Sequence, residues 1–225
     1  MVAYLAVQER VEVAARSRTF GNLEASLGLK KDSLFSTITK PPVFEHYEAI
    51  ERGETTAEDF DPLFTEFYNK QHGRTGEILH LVTSLVKALH TIQIIPEMAE
   101  LVKDLRAAGC KVGLLTNNFF ADRARRAPTL PKDIEKYFDV VVESCRAGMR
   151  KPEPRVYSHI CGQLKVKPEE CIFLDDMGIN LKPARAMGIT TIKVNSPTKA
   201  AEEVREILKD LFKFPSNTRE CMPSS

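Results

Sequence analysis

The chain has 225 residues, with 32 Lys plus Arg against 31 Asp plus Glu and a formal net charge of +1. That length supports one domain with a small accessory unit, or two modest domains. The balanced charge argues against a nucleic-acid partner, and no apolar stretch has the length of a membrane span. Hydrophobic residues make up 43% of the sequence, ample for a packed core.

Residues 1–18 form an atypical N-terminal segment. Val2-Ala3-Tyr4-Leu5-Ala6-Val7 is apolar, and its β-branched ends and aromatic suit a strand. Gln8 to Arg16 is rich in helix formers and has no breaker, so composition puts a helix slightly ahead. Glu9 and Glu12 make the segment a poor signal peptide and a weak transit peptide.

From Thr19 to His90 the pattern is helical. Thr55 and Glu58 read as a capping box, after which Phe60, Leu63, Phe64, Phe67 and Tyr68 share a face. Ile78, Leu81, Val82, Leu85 and Leu89 mark a second amphipathic helix. Such stripes are far more often bundle core than a cofactor box.

From Ile94 onward helices and strands alternate. Pro96 suits a first helical position, Leu101, Val102 and Leu105 share a face, and Gly109 stops that helix. Short apolar runs predict strands over Lys111–Leu115, Asp139–Val142, Cys171–Leu174 and Thr190–Val194. Ser196 and Pro197 open a last amphipathic helix through Val204, Ile207, Leu208 and Leu211. Strands separated by helices imply right-handed crossovers and a parallel sheet in an α/β fold. The tail from Pro215 is polar and reads as frayed. The cysteines, Cys110, Cys145, Cys161, Cys171 and Cys221, are odd in number and lack CxxC or zinc-like spacing. They read as reduced thiols of a cytoplasmic protein, with Cys110 and Cys171 as buried small hydrophobes.

Strand ends carry the chemistry in such folds. Thr116 and Asn117 follow Val-Gly-Leu-Leu, and a hydroxyl with backbone amides there can bind a phosphate oxygen. Taken alone they are ordinary turn formers. Lys151 stands before Pro152, which keeps it out of helical geometry and can start a helix behind it. An ammonium there could offset charge on a phosphoryl group, although a single loop lysine is more often solvated. Asp175 and Asp176 end an apolar run and precede a glycine turn. Adjacent carboxylates are often helix caps, but the strand before them and the glycine after favour a hard-cation site.

The order Thr-Asn, Lys-Pro, Asp-Asp behind a helical block resembles the haloacid dehalogenase (HAD) superfamily, and within it the N-terminal phosphatase domains of soluble epoxide hydrolases. The phrases Leu114-Leu115-Thr116-Asn117, Glu143 to Pro154, and Phe173 to Arg185 carry the likeness, together with Arg52-Gly53-Glu54-Thr55-Thr56 in the helical block. The resemblance implies a Rossmannoid parallel sheet over residues 94–212, a helical cap over 19–93 and a flexible tail over 213–225. It gives Thr116 and Asn117 to phosphate binding and makes Lys151 the cation that stabilises charge. Asp175 and Asp176 become magnesium ligands, and small phosphomonoesters the substrate class.

The same family opens its central strand into Asp-x-Asp, whose first Asp is the nucleophile and whose second is the acid and base. Here the first Asp is Asp32, inside the helical block, and the Asp59-Phe60-Asp61 match falls on a helical pattern. The nucleophile strand therefore reads as missing or replaced, magnesium binding as weak, and turnover as impaired. The competing expectation is a non-catalytic module that holds a phosphorylated ligand or a partner.

Overall fold

The computed structural model describes residues 3–6, 20–76, 79–84 and 95–209. Five parallel strands form one sheet: β1 (Ala3–Ala6), β2 (Lys111–Thr116), β3 (Val140–Glu143), β4 (Cys171–Asp175) and β5 (Thr190–Lys193). Their order is β3-β2-β1-β4-β5. The central slot is therefore filled, and residues 3–6 form a strand rather than part of the helix that composition favoured; Gln8–Arg16 lie outside the described residues. Ala3 pairs with both Lys111 and Cys171, and Leu5 with both Gly113 and Phe173. The reason is non-local. Between β2 and β4 an open slot would strand backbone donors and acceptors on two edges, each costing about 1–3 kcal/mol if buried. That outweighs tenths of a kcal/mol per residue of helix propensity.

Strands β2 and β4 are apolar over Val112–Leu115 and Cys171–Leu174 because both sheet faces are covered there. Ile172 and Leu174 point to one face, where they pack with Leu101, Val102 and Leu105 of α4 (Pro96–Ala107) and Val204 of α7 (Pro197–Ile207). Cys171 and Phe173 point to the other, against Val156, Tyr157 and Ile160 of α5 (Pro154–Leu164) and Leu181 and Ala184 of α6 (Gly178–Ala186). Pro96, Pro154 and Pro197 each occupy a first helical position, where the missing N–H costs nothing. Helix α5 begins two residues after Pro152 because Glu153 N–H closes a turn onto the Arg150 carbonyl at 2.8 Å. The strand predicted over Asp139–Val142 lies one residue later, at Val140–Glu143; Asp139 stands at its entrance, where its N–H donates to the Val112 carbonyl at 2.7 Å and its carboxylate accepts the Val112 N–H at 2.8 Å.

Among the described residues of the helical block, 20–26 and 81–84 are helical, with α1 (Ser33–Ile38), α2 (Val43–Glu51) and α3 (Ala57–His72) between them. Phe60, Phe64 and Tyr68 recur every four residues on α3, with ring centroids 5.8 and 5.9 Å apart. Around them pack Leu34, Ile38, Tyr47, Ile50, Leu81 and Val82. Leu85 and Leu89 lie outside the described residues, as do Ile78 and Leu211. The expected capping box is absent. Helix α3 starts at Ala57, and its first amides donate to Phe120 and Ala121 carbonyls of the β2 loop at 2.9 and 3.2 Å. Glu58 instead accepts the Arg123 N–H at 3.0 Å. Phe119 of that loop is buried within the helical block's own core.

Candidate functional site at the carboxyl edge of the sheet

The chain runs β1, β2, β3 to one side and then crosses to β4 and β5, so the strand order reverses at β1. Ligands of open parallel sheets bind beyond the strand ends at such a reversal. Thr116 is the last residue of β2 and Asp175 the last of β4. Both strands end one residue later than the apolar runs alone suggest, which puts these two side chains on strand ends flanking the reversal.

Lys151 reaches the same edge from the loop before α5. Its side chain is fully buried, and its Nζ donates to the Leu115 carbonyl at 3.2 Å and lies 3.3 Å from Asp175 Oδ2. The Asn117 side chain holds the Lys151 backbone at both ends. Its Oδ1 accepts the Lys151 N–H at 2.8 Å and its Nδ2 donates to the Lys151 carbonyl at 3.0 Å. Asn117 thus acts here as a strut under Lys151. Thr116, Asn117, Lys151 and Asp175 are all at most 5% exposed, so interactions among them are screened far less than in water. Asp176 is half-buried, and Met177, Gly178 and Ile179 form an exposed rim.

Asp175 is bound on all sides. Oδ1 accepts from Met177 N–H at 2.7 Å, Oδ2 faces Lys151, and Asn180 Nδ2 reaches both oxygens at 3.1 and 3.0 Å. A carboxylate has about four lone-pair positions, and these contacts use them. Asp175 and Asp176 are hard oxygen donors of the right kind for magnesium. No group of three or more His, Cys, Asp or Glu side chains stands ready for a metal among the described residues. The pair does not make a magnesium cage as it stands, since Asp175 would have to release a present partner.

Several residues of this edge escape a reading of motifs. Asn180 sits in the first turn of α6, five residues after Asp175, and the Asp-Asp-x-Gly-x-Asn spacing is its one sequence signal. Arg150 pairs with Glu51 of α2 at 2.5 Å and with Glu48 at 2.8 Å. Asn117 Nδ2 also lies 3.4 Å from Glu51. A buried carboxylate of the helical block therefore touches both residues that flank or brace Lys151. Gly53 follows in the same block with φ +69, and a Cβ there would stand 2.0 Å from the Cys145 carbonyl oxygen. Beyond it, Asn118 receives the Cys145 thiol on Oδ1 at 3.1 Å, and burial together with the Glu143 charge pushes that thiol up to about 12. The Asp59-Phe60-Asp61 match lies in α3 as expected. Arg123 holds the Asp59 carboxyl below the usual range, and Asp61 accepts the Val82 and Thr83 amides at 2.8 and 3.2 Å.

A family model described as haloacid dehalogenase-like hydrolase matches residues 15–188. The chain belongs to that family. Among relatives of this haloacid dehalogenase-like chain, bifunctional epoxide hydrolase 2 of Mus musculus is 30% identical over 211 residues, covering 91% of the chain and 38% of the mouse protein. Acyl-CoA dehydrogenase family member 10 of the same species is 38% identical over 157 residues, covering 70% of the chain and 14% of that protein. The chain thus spans well under half the length of either. A HAD-like hydrolase structure from Porphyromonas gingivalis shares the fold at TM-score 0.59 and 18% identity, covering 93% of this chain and 98% of its own. A mutant HAD family enzyme of Bacteroides thetaiotaomicron, solved with magnesium and inorganic phosphate, does so at TM-score 0.55 and 21% identity, over 86% and 94%.

Proposed function

We propose that the carboxyl edge of the sheet is a phosphoryl-binding site of hydrolase lineage in which phosphomonoester turnover is impaired. The observation that carries this reading is the composition of β1. The strand occupies the reversal point, yet its residues are Ala3, Tyr4, Leu5 and Ala6, and Val7 and Gln8 follow. None of these residues is a carboxylate, whereas the family's chemistry needs an aspartyl nucleophile and an acid–base partner at this strand end. The Thr116 hydroxyl and the Lys151 ammonium remain suited to a tetrahedral oxyanion. Neither supplies a covalent nucleophile.

In this reading residues 19–93 act as the cap over residues 94–212, and small phosphorylated molecules are the ligand class. Asp175 and Asp176 are the residues that would hold magnesium, which would add charge neutralisation at the bound phosphoryl group. With two carboxylates, one of them saturated by protein donors, magnesium affinity is weak. The lack of a nucleophile also supports a binding module that holds its ligand without turnover.

Titration of the chain with inorganic phosphate tests the binding half, followed by calorimetry. Thr116→Val keeps the β-branched shape and removes the hydroxyl. A hydrogen bond to a charged group contributes about 1.5–3 kcal/mol, so phosphate affinity falls roughly 10-fold or more. Absence of phosphate binding, or binding unchanged by Thr116→Val, defeats the reading.

A further inference from the structure

Beneath the site, on the α5–α6 face of the sheet, two cysteines meet. Cys161 of α5 and Cys171 at the start of β4 have their sulfurs 3.7 Å apart, against about 2.05 Å in a disulfide. Both side chains are buried, and they pack in the cluster formed by Tyr157, Ile160, Leu164 and Phe173. Cys171 also donates its thiol to the Lys167 carbonyl at 3.2 Å. The same two segments are joined at their other ends by Lys151 and Asp175. The thiol pair and the ion pair thus bridge the α5 segment and β4 at opposite ends of that strand.

We propose that Cys161 and Cys171 are a modification site, a dithiol that closes to a reversible intrachain disulfide on reaction with a peroxide and fastens α5 to β4. The inference is independent of any phosphoryl ligand. Cys161 is the attacking sulfur: Cys171 carries the proton, and turning that S–H from the Lys167 carbonyl to the Cys161 sulfur favours the Cys161 thiolate. The hydrogen bond to Cys161, and then burial, push the Cys171 thiol up. The Cys161 thiolate cleaves the peroxide O–O bond, giving a sulfenic acid and, with hydrogen peroxide, one water. Cys171, deprotonated in the step, displaces hydroxide from that sulfur, forming the S–S bond and a second water. The thiol pair loses two electrons and the peroxide gains them. Because both sulfurs are buried, the reaction waits on local opening and is slow compared with that of an exposed thiol.

The test is mild hydrogen peroxide treatment of the native full chain, alkylation of remaining thiols, and tryptic mass mapping. Trypsin spares Lys-Pro bonds, so Cys161 lies in peptide Val156–Lys165 and Cys171 in Val166–Arg185. The expected result is these two peptides joined, separated by dithiothreitol, with the thermal midpoint of the oxidised chain raised by about 5 °C. Cys161→Ser and Cys171→Ser each abolish both the link and the rise. Recovery of the two peptides unlinked from the wild-type chain, whether alkylated or as sulfinic acids, overturns the proposal, as does a link that leaves the midpoint unchanged or lower.

Discussion

Lys151 Nζ lies 3.3 Å from Asp175 Oδ2, and both side chains are fully buried. Buried pairs of this kind are costly to break, because removing one partner leaves the other charged and dry. Asp175→Ala is expected to lower stability by about 3–5 kcal/mol, read as a drop in urea midpoint at unchanged slope. A loss below 1 kcal/mol would mean that Lys151 has another anionic partner strong enough to hold it.

The Glu51–Arg150 contact between helical block and core makes a second such prediction. Glu51 has a 2% exposed side chain and Arg150 an 11% exposed one. Glu51→Ala should cost about 3 kcal/mol or more. Asp59→Ala, which breaks the exposed pair with Arg123 at 2.6 Å, should cost under about 1 kcal/mol. Equal losses in the two variants would contradict the assignment of Glu51 as the buried tie.

Gly53 cannot carry a side chain without moving the Cys145 backbone, and its φ of +69 strains any other residue. Gly53→Ala is expected to destabilise by about 3 kcal/mol, combining left-handed strain with overpacking against a carbonyl. Thermal unfolding checks it. Gly73 has a similar φ with open space around it, so Gly73→Ala should cost distinctly less.

Much of this architecture is legible from the chain alone, for a physical reason. Strands β2 and β4 are apolar on both faces, so their runs stand out, and Pro96, Gly109 and Gly188 punctuate the helices. Thr116, Lys151 and Asp175 sit at chain punctuation that the strands themselves define. The partners that hold them are another matter. Glu51 meets Arg150 across 99 positions, and the amides of α3 find their acceptors on Phe120 and Ala121 rather than on a local capping box. Residues 3–6 became strand against local composition because pairing with β2 and β4 decides their state. None of these contacts leaves a spacing to read.

Asp61 gives a pH signature. Burial is the leading cause that raises its carboxyl above the ordinary value, outweighing the Val82 and Thr83 hydrogen bonds that lower it. A raised folded value means the folded chain binds more protons than the unfolded one, between about pH 4 and the raised folded value. Stability contributed by Asp61 is therefore present at low pH and lost as pH rises through that window. The difference in urea stability between wild type and Asp61→Asn should change across that window and stay flat above it. A difference that is constant with pH would rule out the raised carboxyl.

The most direct measurement is hydrolysis of a generic phosphomonoester with magnesium present, wild type against Asp175→Asn. The account predicts no turnover that depends on Asp175, because β1 brings Ala3–Ala6 and no aspartate to the centre of the sheet. Robust hydrolysis abolished by Asp175→Asn would contradict it and would require a nucleophile outside the Asp-x-Asp pattern.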